Sequence, residues 1–340
     1  MATPTASNRP TPEHIFNVLN AHQQSAALKT GIELDVFTAI GEGANTAASL
    51  AAKTGAAERG VRILCDYLTI LGFLTKEVDR YALTQESAIF LDRHSPACIA
   101  PIAGFLGDEW HKRNFGALTE AVRKGGTAGA NGDNTKPNDD IWINFARSMA
   151  PLTVPAAEFI ARLTGATEGK PCKVLDIAAG HGMYGITVAK HNPNAQIVAL
   201  DWPRVLEVAQ ENAKKFGVAE RFTTKPGSAL ETDLGTGYDF VLLTNILHHF
   251  DKPTCEKLMR RVHAALKPGG KAITLEFVPN EDRVTPPIAA GFSLVMLAGT
   301  DAGDAYTLSE YEKMFASAGF GKTALHPIPE MPHQVLVSGK

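Results

Sequence analysis

Asp176 ends the apolar run Val174-Leu175, the small residues Ala178, Gly180, Gly182 and Gly185 follow, and Asp201 ends a second apolar run at 196–201. A strand, a tight small-residue turn and an apolar helix, in that order, form the ligand cradle of an α/β sheet. The glycines let backbone approach a ligand, and an acid at the second strand's end accepts hydrogen bonds from ribose hydroxyls. Gly180, Gly182 and Gly185 satisfy G-x-G-x-x-G, so a dinucleotide is one candidate ligand. Asp176 opposes it, because a carboxylate directly before the turn would face a pyrophosphate at close range. A turn whose glycines serve packing alone is a further reading.

Other chemistry-bearing loops follow later strands. Trp202 succeeds Asp201. Gly227-Ser228-Ala229-Leu230 comes after a strand at 222–224, where a polar and an apolar side chain can bracket an adenine. Thr244-Asn245-Ile246-Leu247-His248-His249-Phe250 comes after a strand at 239–245. A histidine leaving an internal strand suits proton abstraction, since an unperturbed imidazole titrates near 6.5. His249 reads as substrate-facing or supporting, because no cluster of ligand spacing surrounds it and no metal is expected. Phe292, Met296 and Leu297 on a late apolar helix, with Trp110 and Met149, are candidate substrate-pocket walls.

These loops need a sheet to hold them. Strands are expected at 173–178, 196–201, 222–224, 239–245, 271–278, 323–328 and 334–338, with helices between, among them 204–216 and 253–266. Lys267-Pro268-Gly269-Gly270 is expected to close the second of these helices. Such alternation predicts a doubly wound parallel sheet, which binds ligands at the carboxyl ends of its strands. Upstream, Ser49–Lys53, a Thr54-Gly55 turn, a helix carrying Val61, Leu64, Cys65, Leu68 and Leu71, and two short alternating segments give helix, turn, helix, hairpin. That is a winged-helix pattern. Its second helix balances Arg59 and Arg62 against Glu58 and Asp66, which disfavours DNA and leaves dimerisation as its use.

The expected organisation is a flexible Thr/Pro/Ser-rich tail at 1–12, a winged-helix dimerisation domain at 13–97, a helical connector contributing to the substrate pocket at 98–164, and the catalytic domain at 165–340. A Gly/Asn-rich insert at 124–140 reads as a mobile loop. The 340-residue chain has a net charge of −3 with 20% charged residues, which gives no reason to expect nucleic acid or an anionic membrane as partner. Cys65, Cys98, Cys172 and Cys255 form no C-x-x-C pair, and no apolar run reaches spanning length, so a cytoplasmic location is expected.

On these motifs the whole chain resembles the small-molecule O-methyltransferases, the class I S-adenosyl-L-methionine-dependent family of plant caffeate and hydroxyindole enzymes and bacterial polyketide relatives. Asp176 with its small-residue turn is similar to that family's first motif, with Ala178 in place of the first glycine. The resemblance implies an N-terminal winged-helix dimerisation domain before a Rossmann-like seven-stranded sheet, and a homodimer. It implies S-adenosyl-L-methionine as cofactor, whose sulfonium and amino group gain from a nearby carboxylate. Asp176, Ala178, Gly180, Gly182, Asp201, Trp202, Gly227, Ser228, Ala229, Thr244 and Asn245 would then line its site.

The family's L-H-D-W segment corresponds to Leu247-His248-His249-Phe250, which makes His248 the base, and its orienting glutamate corresponds to Glu276 in Leu275-Glu276-Phe277. Four positions depart. Ser228-Ala229-Leu230 lacks the adenine-side acid, Thr244 replaces a lysine, His249 replaces an aspartate, and Ala305 stands where the family has a second glutamate. The resulting expectation is methyl transfer to a phenolic hydroxyl of a small aromatic molecule. Carbon or nitrogen methylation, a non-methylating reaction on the same scaffold, and a winged-helix transcriptional regulator are the alternatives.

Overall fold

The computed structural model describes residues 10–129 and 139–340. Most of the expected tail and most of the expected 124–140 loop therefore lie outside the described residues. The chain divides into two compact units, Met1–Ala103 and Gly104–Lys340. The expected 98–164 connector is thus split, its residues from Gly104 onward belonging with the sheet.

In the first unit, helices Ala47–Thr54 and Glu58–Ile70 are joined by a turn at Gly55, whose φ of 67° ends the first helix in the left-handed conformation glycine adopts freely. The first of these helices starts on a reciprocal Thr46/Ser49 capping box. Strands β1 (Leu74–Glu77) and β2 (Arg80–Leu83) form the antiparallel hairpin. Leu50, Val61, Cys65, Leu68, Leu74 and Tyr81 interlock with Phe37 in one core, the outcome of apolar residues recurring at helical spacing. The opening helix, Glu13–Leu19, buries none of its residues; Ile15, Phe16, Val18 and Leu19 all stand exposed.

The second unit is built on a seven-stranded sheet: β3 (Cys172–Ile177), β4 (Ala195–Asp201), β5 (Phe222–Pro226), β6 (Tyr238–Thr244), β7 (Leu266–Phe277), β8 (Thr323–Pro327) and β9 (His333–Gly339). Their spatial order is β5-β4-β3-β6-β7-β9-β8. The sheet is not wholly parallel as expected: β9 runs antiparallel to both β7 and β8. The physical reason is the short link from β8 to β9, which permits only a hairpin, whereas a parallel return needs a crossover. Lys267-Pro268-Gly269-Gly270, expected as a helix closure, lies inside β7 where the pairing with β6 shifts register. The helix before it ends at Ala265.

Alternation within the strands fills two faces. Val174, Ile197, Leu242 and Ile273 pack on one face with helices Val154–Leu163, Met183–His191 and Pro203–Lys215; Leu175, Ile177, Val241 and Leu243 pack on the other with Lys252–Ala265 and Leu308–Ser317. The topology switches between β3 and the adjacent central strand β6, so the loops after β3, β4, β6 and β7 converge at one sheet edge. Among the described residues no helix is long and apolar enough to cross a membrane.

Candidate active site

The turn after β3 is made by left-handed residues: Ala178 at φ 53°, Gly180 at 56° and Gly182 at 73°. Ala178 holds a conformation that disfavours a Cβ by about 1 kcal/mol. Gly185 is required by close packing, since a Cβ there would lie 2.6 Å from Ile197 Cγ2 and 3.1 Å from Asp176 Oδ2. Its amide donates to that Asp176 oxygen at 3.1 Å. The carboxyl's other oxygen, Oδ1, is buried without a partner. Burial pushes the Asp176 pKa up to about 7, against the Gly185 bond that lowers it.

Asp201 fixes the same turn from β4. Its Oδ2 accepts the Gly180 amide at 2.8 Å and its Oδ1 the Trp202 amide at 2.7 Å. Each oxygen keeps a second acceptor site. Burial raises this carboxyl to about 6. Asp201 is not the helix cap, because the following helix starts at Pro203 with Trp202 as its N-cap. Gly227 donates its amide to the Asp201 carbonyl at 2.9 Å, which joins the 227–230 loop to this group. There Ser228 Oγ accepts the Leu230 amide, and Ala229 offers its carbonyl to Arg261.

The loop after β6 carries the second cluster. Thr244 is buried at the strand end, and Asn245, left-handed at φ 56°, donates its amide to the Leu275 carbonyl at 2.9 Å. Asn245 Oδ1 is buried without a hydrogen-bond partner among the described residues. Glu276, fully buried near the end of β7, accepts from the amides of Ile246 at 3.1 Å and Leu247 at 2.8 Å through Oε1. Its Oε2 meets His248 Nδ1 at 2.5 Å. A solvated strand-end charge is thereby excluded for Glu276: every contact orients the loop or the imidazole.

Around His248 the rings close in. His249 Nε2 lies 3.1 Å from His248 Nε2. Phe292 sits edge-on to the His248 ring at 4.8 Å and stacks on Phe277 at 4.0 Å. Trp142 abuts His249 at 5.4 Å. Burial and the neighbouring His248 hold His249 well below the usual imidazole range. Ala305, the position matched to a second glutamate, is fully buried, and its segment rests on the loop because Asp304 donates its amide to the His248 carbonyl at 3.0 Å.

The expected wall residues divide. His249 and Phe292 join His248 directly. Trp110 belongs to a ring series that runs from it through His111, Phe105 and Phe145 to Trp142. Met149 ends the Asp139–Met149 helix half-buried, and Met296 is buried in the Pro287–Gly299 helix. The sequence reading left His181, Tyr184 and His333 out of the site, and took Trp142 and Phe145 as aromatic positions of a core or a pocket wall. His181 accepts the Met183 amide on Nδ1 at 3.1 Å, and burial lowers its pKa to about 4. His333 packs on Phe277 at 4.0 Å. A helical i, i+3 spacing marked Trp142 and Phe145; nothing local marked His333.

The first cluster fits a cofactor that carries both cation and ribose: Asp176 Oδ1 is buried without a hydrogen-bond partner among the described residues, and Asp201 has acceptor sites left. Among the described residues no group of three or more His, Cys, Asp or Glu is placed to hold a metal. Residues 168–321 match the model of an O-methyltransferase domain, and residues 16–93 that of an O-methyltransferase dimerisation domain. A crystal structure from Nostoc punctiforme PCC 73102, assigned as an O-methyltransferase, is 50% identical, with 98% of this chain and 100% of that one covered and a TM-score of 0.93. Mitomycin biosynthesis 6-O-methyltransferase of Streptomyces lavendulae is 28% identical across 93% of this chain and 90% of that protein. L-tyrosine C(3)-methyltransferase of the same organism is 24% identical, covering 92% and 88%. The chain belongs to the O-methyltransferase family, enzymes with S-adenosylmethionine as methyl donor.

Proposed function

We propose that this enzyme methylates a phenolic hydroxyl of a small aromatic acceptor, with His248 as general base and Glu276 as the group that orients it. S-adenosylmethionine supplies an already activated methyl when bound, so the protein must add alignment and proton removal. Asp176 suits the cofactor's cationic end and Asp201 its ribose, with the 227–230 loop beside the adenine. Phe292, His249 and Trp142 form an aromatic surround in which a flat ring can lie beside His248.

The observation that carries this reading is the buried Glu276–His248 pair. A phenol with a pKa near 10 is almost wholly protonated at neutral pH, so attack through oxygen needs a base. Glu276 on Nδ1 leaves Nε2 as the nitrogen that takes the proton, and stabilises the imidazolium that results. The relative named for tyrosine C(3) methylation, together with alanine at position 305, favours carbon as the second reading. Labelled cofactor, a panel of phenols and identification of the methylated atom by NMR separate the two. Ether products formed by wild type and lost in His248→Ala are expected; products methylated on ring carbon would replace this reading with the second.

A further inference from the structure

We infer that Tyr306 is a positioning residue for the reaction: its hydroxyl and the nearby Asp304 amide clamp the turn that presents the His248 imidazole to the acceptor. The inference rests on His248 acting as the base, and deepens that reading by naming what holds the base's backbone. Glu276 fixes the turn through the amides of Ile246 and Leu247 and through the imidazole itself. Three carbonyls of the same turn find other partners. The Leu247 carbonyl accepts the Phe250 amide at 3.1 Å and lies 3.1 Å from the Cys255 sulfur. The His248 carbonyl accepts the Asp304 amide at 3.0 Å. The Phe250 carbonyl accepts the Tyr306 hydroxyl at 2.5 Å, with the Cys255 sulfur farther off at 3.7 Å.

The 303–306 segment thus grips the turn at two carbonyls, those of His248 and Phe250. Its backbone lies directly against them. A Cβ at Gly303 would fall 2.2 Å from the His248 carbonyl oxygen and 3.0 Å from the His249 carbonyl carbon, so only glycine fits. The segment is itself tethered. Thr300, fully buried, accepts the Gly303 amide on Oγ1 at 2.8 Å and donates its own proton to the Met296 carbonyl at 2.7 Å. Arg283 reaches Asp304 at 3.2 Å and Glu310 at 2.6 Å. The Tyr306 ring packs edge-on against the fully buried Tyr311 ring at 5.8 Å.

A hydroxyl held in this way is a fixed donor. Tyr306 is buried, and burial raises its pKa, so the proton stays on the phenol oxygen at neutral pH. Without that hydroxyl the Phe250 carbonyl keeps only a distant thiol, which is a weak donor. The Leu247–His249 segment is a single short 3₁₀ turn, which has few bonds of its own to resist a shift. A base must stay within hydrogen-bond reach of the proton it takes, and a displacement of about 1 Å can cost on the order of a hundredfold in rate. Position 305, between the two contacts, carries only a buried methyl. The segment therefore acts on the base through one backbone amide and the Tyr306 hydroxyl.

The test compares Tyr306→Phe with Tyr238→Phe in the full-length enzyme. Tyr238 is also buried and donates its hydroxyl to a carbonyl, that of Leu234 at 2.9 Å, but at the opposite end of β6. Its loss reports the structural cost of such a bond alone. With S-adenosylmethionine and the best acceptor from a panel of phenols, Tyr306→Phe should lower kcat roughly 5- to 50-fold, with S-adenosylhomocysteine affinity near that of wild type. Tyr238→Phe should leave kcat within about twofold, and so should Tyr306→Phe when added to His248→Ala, because it acts through the imidazole. The ring-nitrogen NMR signals of His248 in the S-adenosylhomocysteine complex, assigned by their loss in His248→Ala, should move in Tyr306→Phe and stay in Tyr238→Phe. Wild-type kcat in Tyr306→Phe, an equal loss in Tyr238→Phe, a full further loss on the His248→Ala background, or unmoved His248 signals would overturn the inference. The base fails separately: a His248→Ala enzyme with full turnover removes the proton transfer, while the NMR signals, which need no turnover, still decide the clamp.

Discussion

Asp176 and Asp201 end neighbouring strands as buried carboxyls, raised to about 7 and about 6 by loss of water. Near neutrality part of the ligand-free population is protonated. A cation beside Asp176 and hydroxyl donors on Asp201 both favour the charged forms, so each pKa falls on cofactor binding. The sign follows: between about pH 6 and 7, binding should release protons. Calorimetric titration with S-adenosylmethionine in buffers of different ionisation enthalpy measures this; net uptake, or no dependence on buffer, would contradict the assignment. These acids were legible because each closes an apolar run, Asp176 just ahead of the small-residue turn and Asp201 just ahead of Trp202 and Pro203. His333 was not, because its place beside Phe277 arises from cross-strand pairing with β7. His249 was legible as the neighbour of His248 in the loop after β6, but its approach to the His248 ring depends on ring orientation that spacing does not encode.

The turn from β3 into the Met183–His191 helix is the element on which the proposed cofactor site depends, and its glycines differ in kind. Gly180 and Gly182 answer to backbone conformation, whereas Gly185 answers to the approach of the helix to Ile197 on β4. Gly185→Ala should destabilise the protein by about 1–3 kcal/mol by overpacking and disturb the Asp176 bond, weakening the cofactor as well. Thermal unfolding and calorimetry check the two effects; a variant of unchanged stability and affinity would show that the helix shifts freely. Strand positions were legible to within a few residues because alternation and turn residues mark them. The direction of β9 was not, since a short strand carries the same alternation either way. The register shift near Tyr238 was hidden by Pro268-Gly269-Gly270, which reads equally well as a helix stop.

For the whole molecule, the order of a helical unit before a sheet unit was legible from the change of hydrophobic period, though the division at Ala103 was not, because helices lie on both sides of it. The helix Glu13–Leu19 exposes Phe16 at 58% and Leu19 at 67%, a contiguous apolar surface within the segment that matches the dimerisation model. Neither residue supports the fold of its own unit. Phe16→Glu with Leu19→Glu should therefore leave the melting temperature of the chain's interior little changed while shifting sedimentation from dimer to monomer. A double variant that sediments as the wild type does would move the pairing surface away from this helix.

The central claim is that His248, held by Glu276, removes the acceptor's proton. The most direct test is the pH dependence of turnover for wild type and His248→Ala on one phenolic acceptor at saturating S-adenosylmethionine. The variant should be slower by about 10²- to 10⁴-fold at neutral pH with near-native cofactor affinity. That deficit should shrink as pH approaches the phenol's own pKa of about 10, where solvent supplies the phenolate. A His248→Ala enzyme that matches wild type at neutral pH, or whose deficit is the same at every pH, would contradict proton removal by His248.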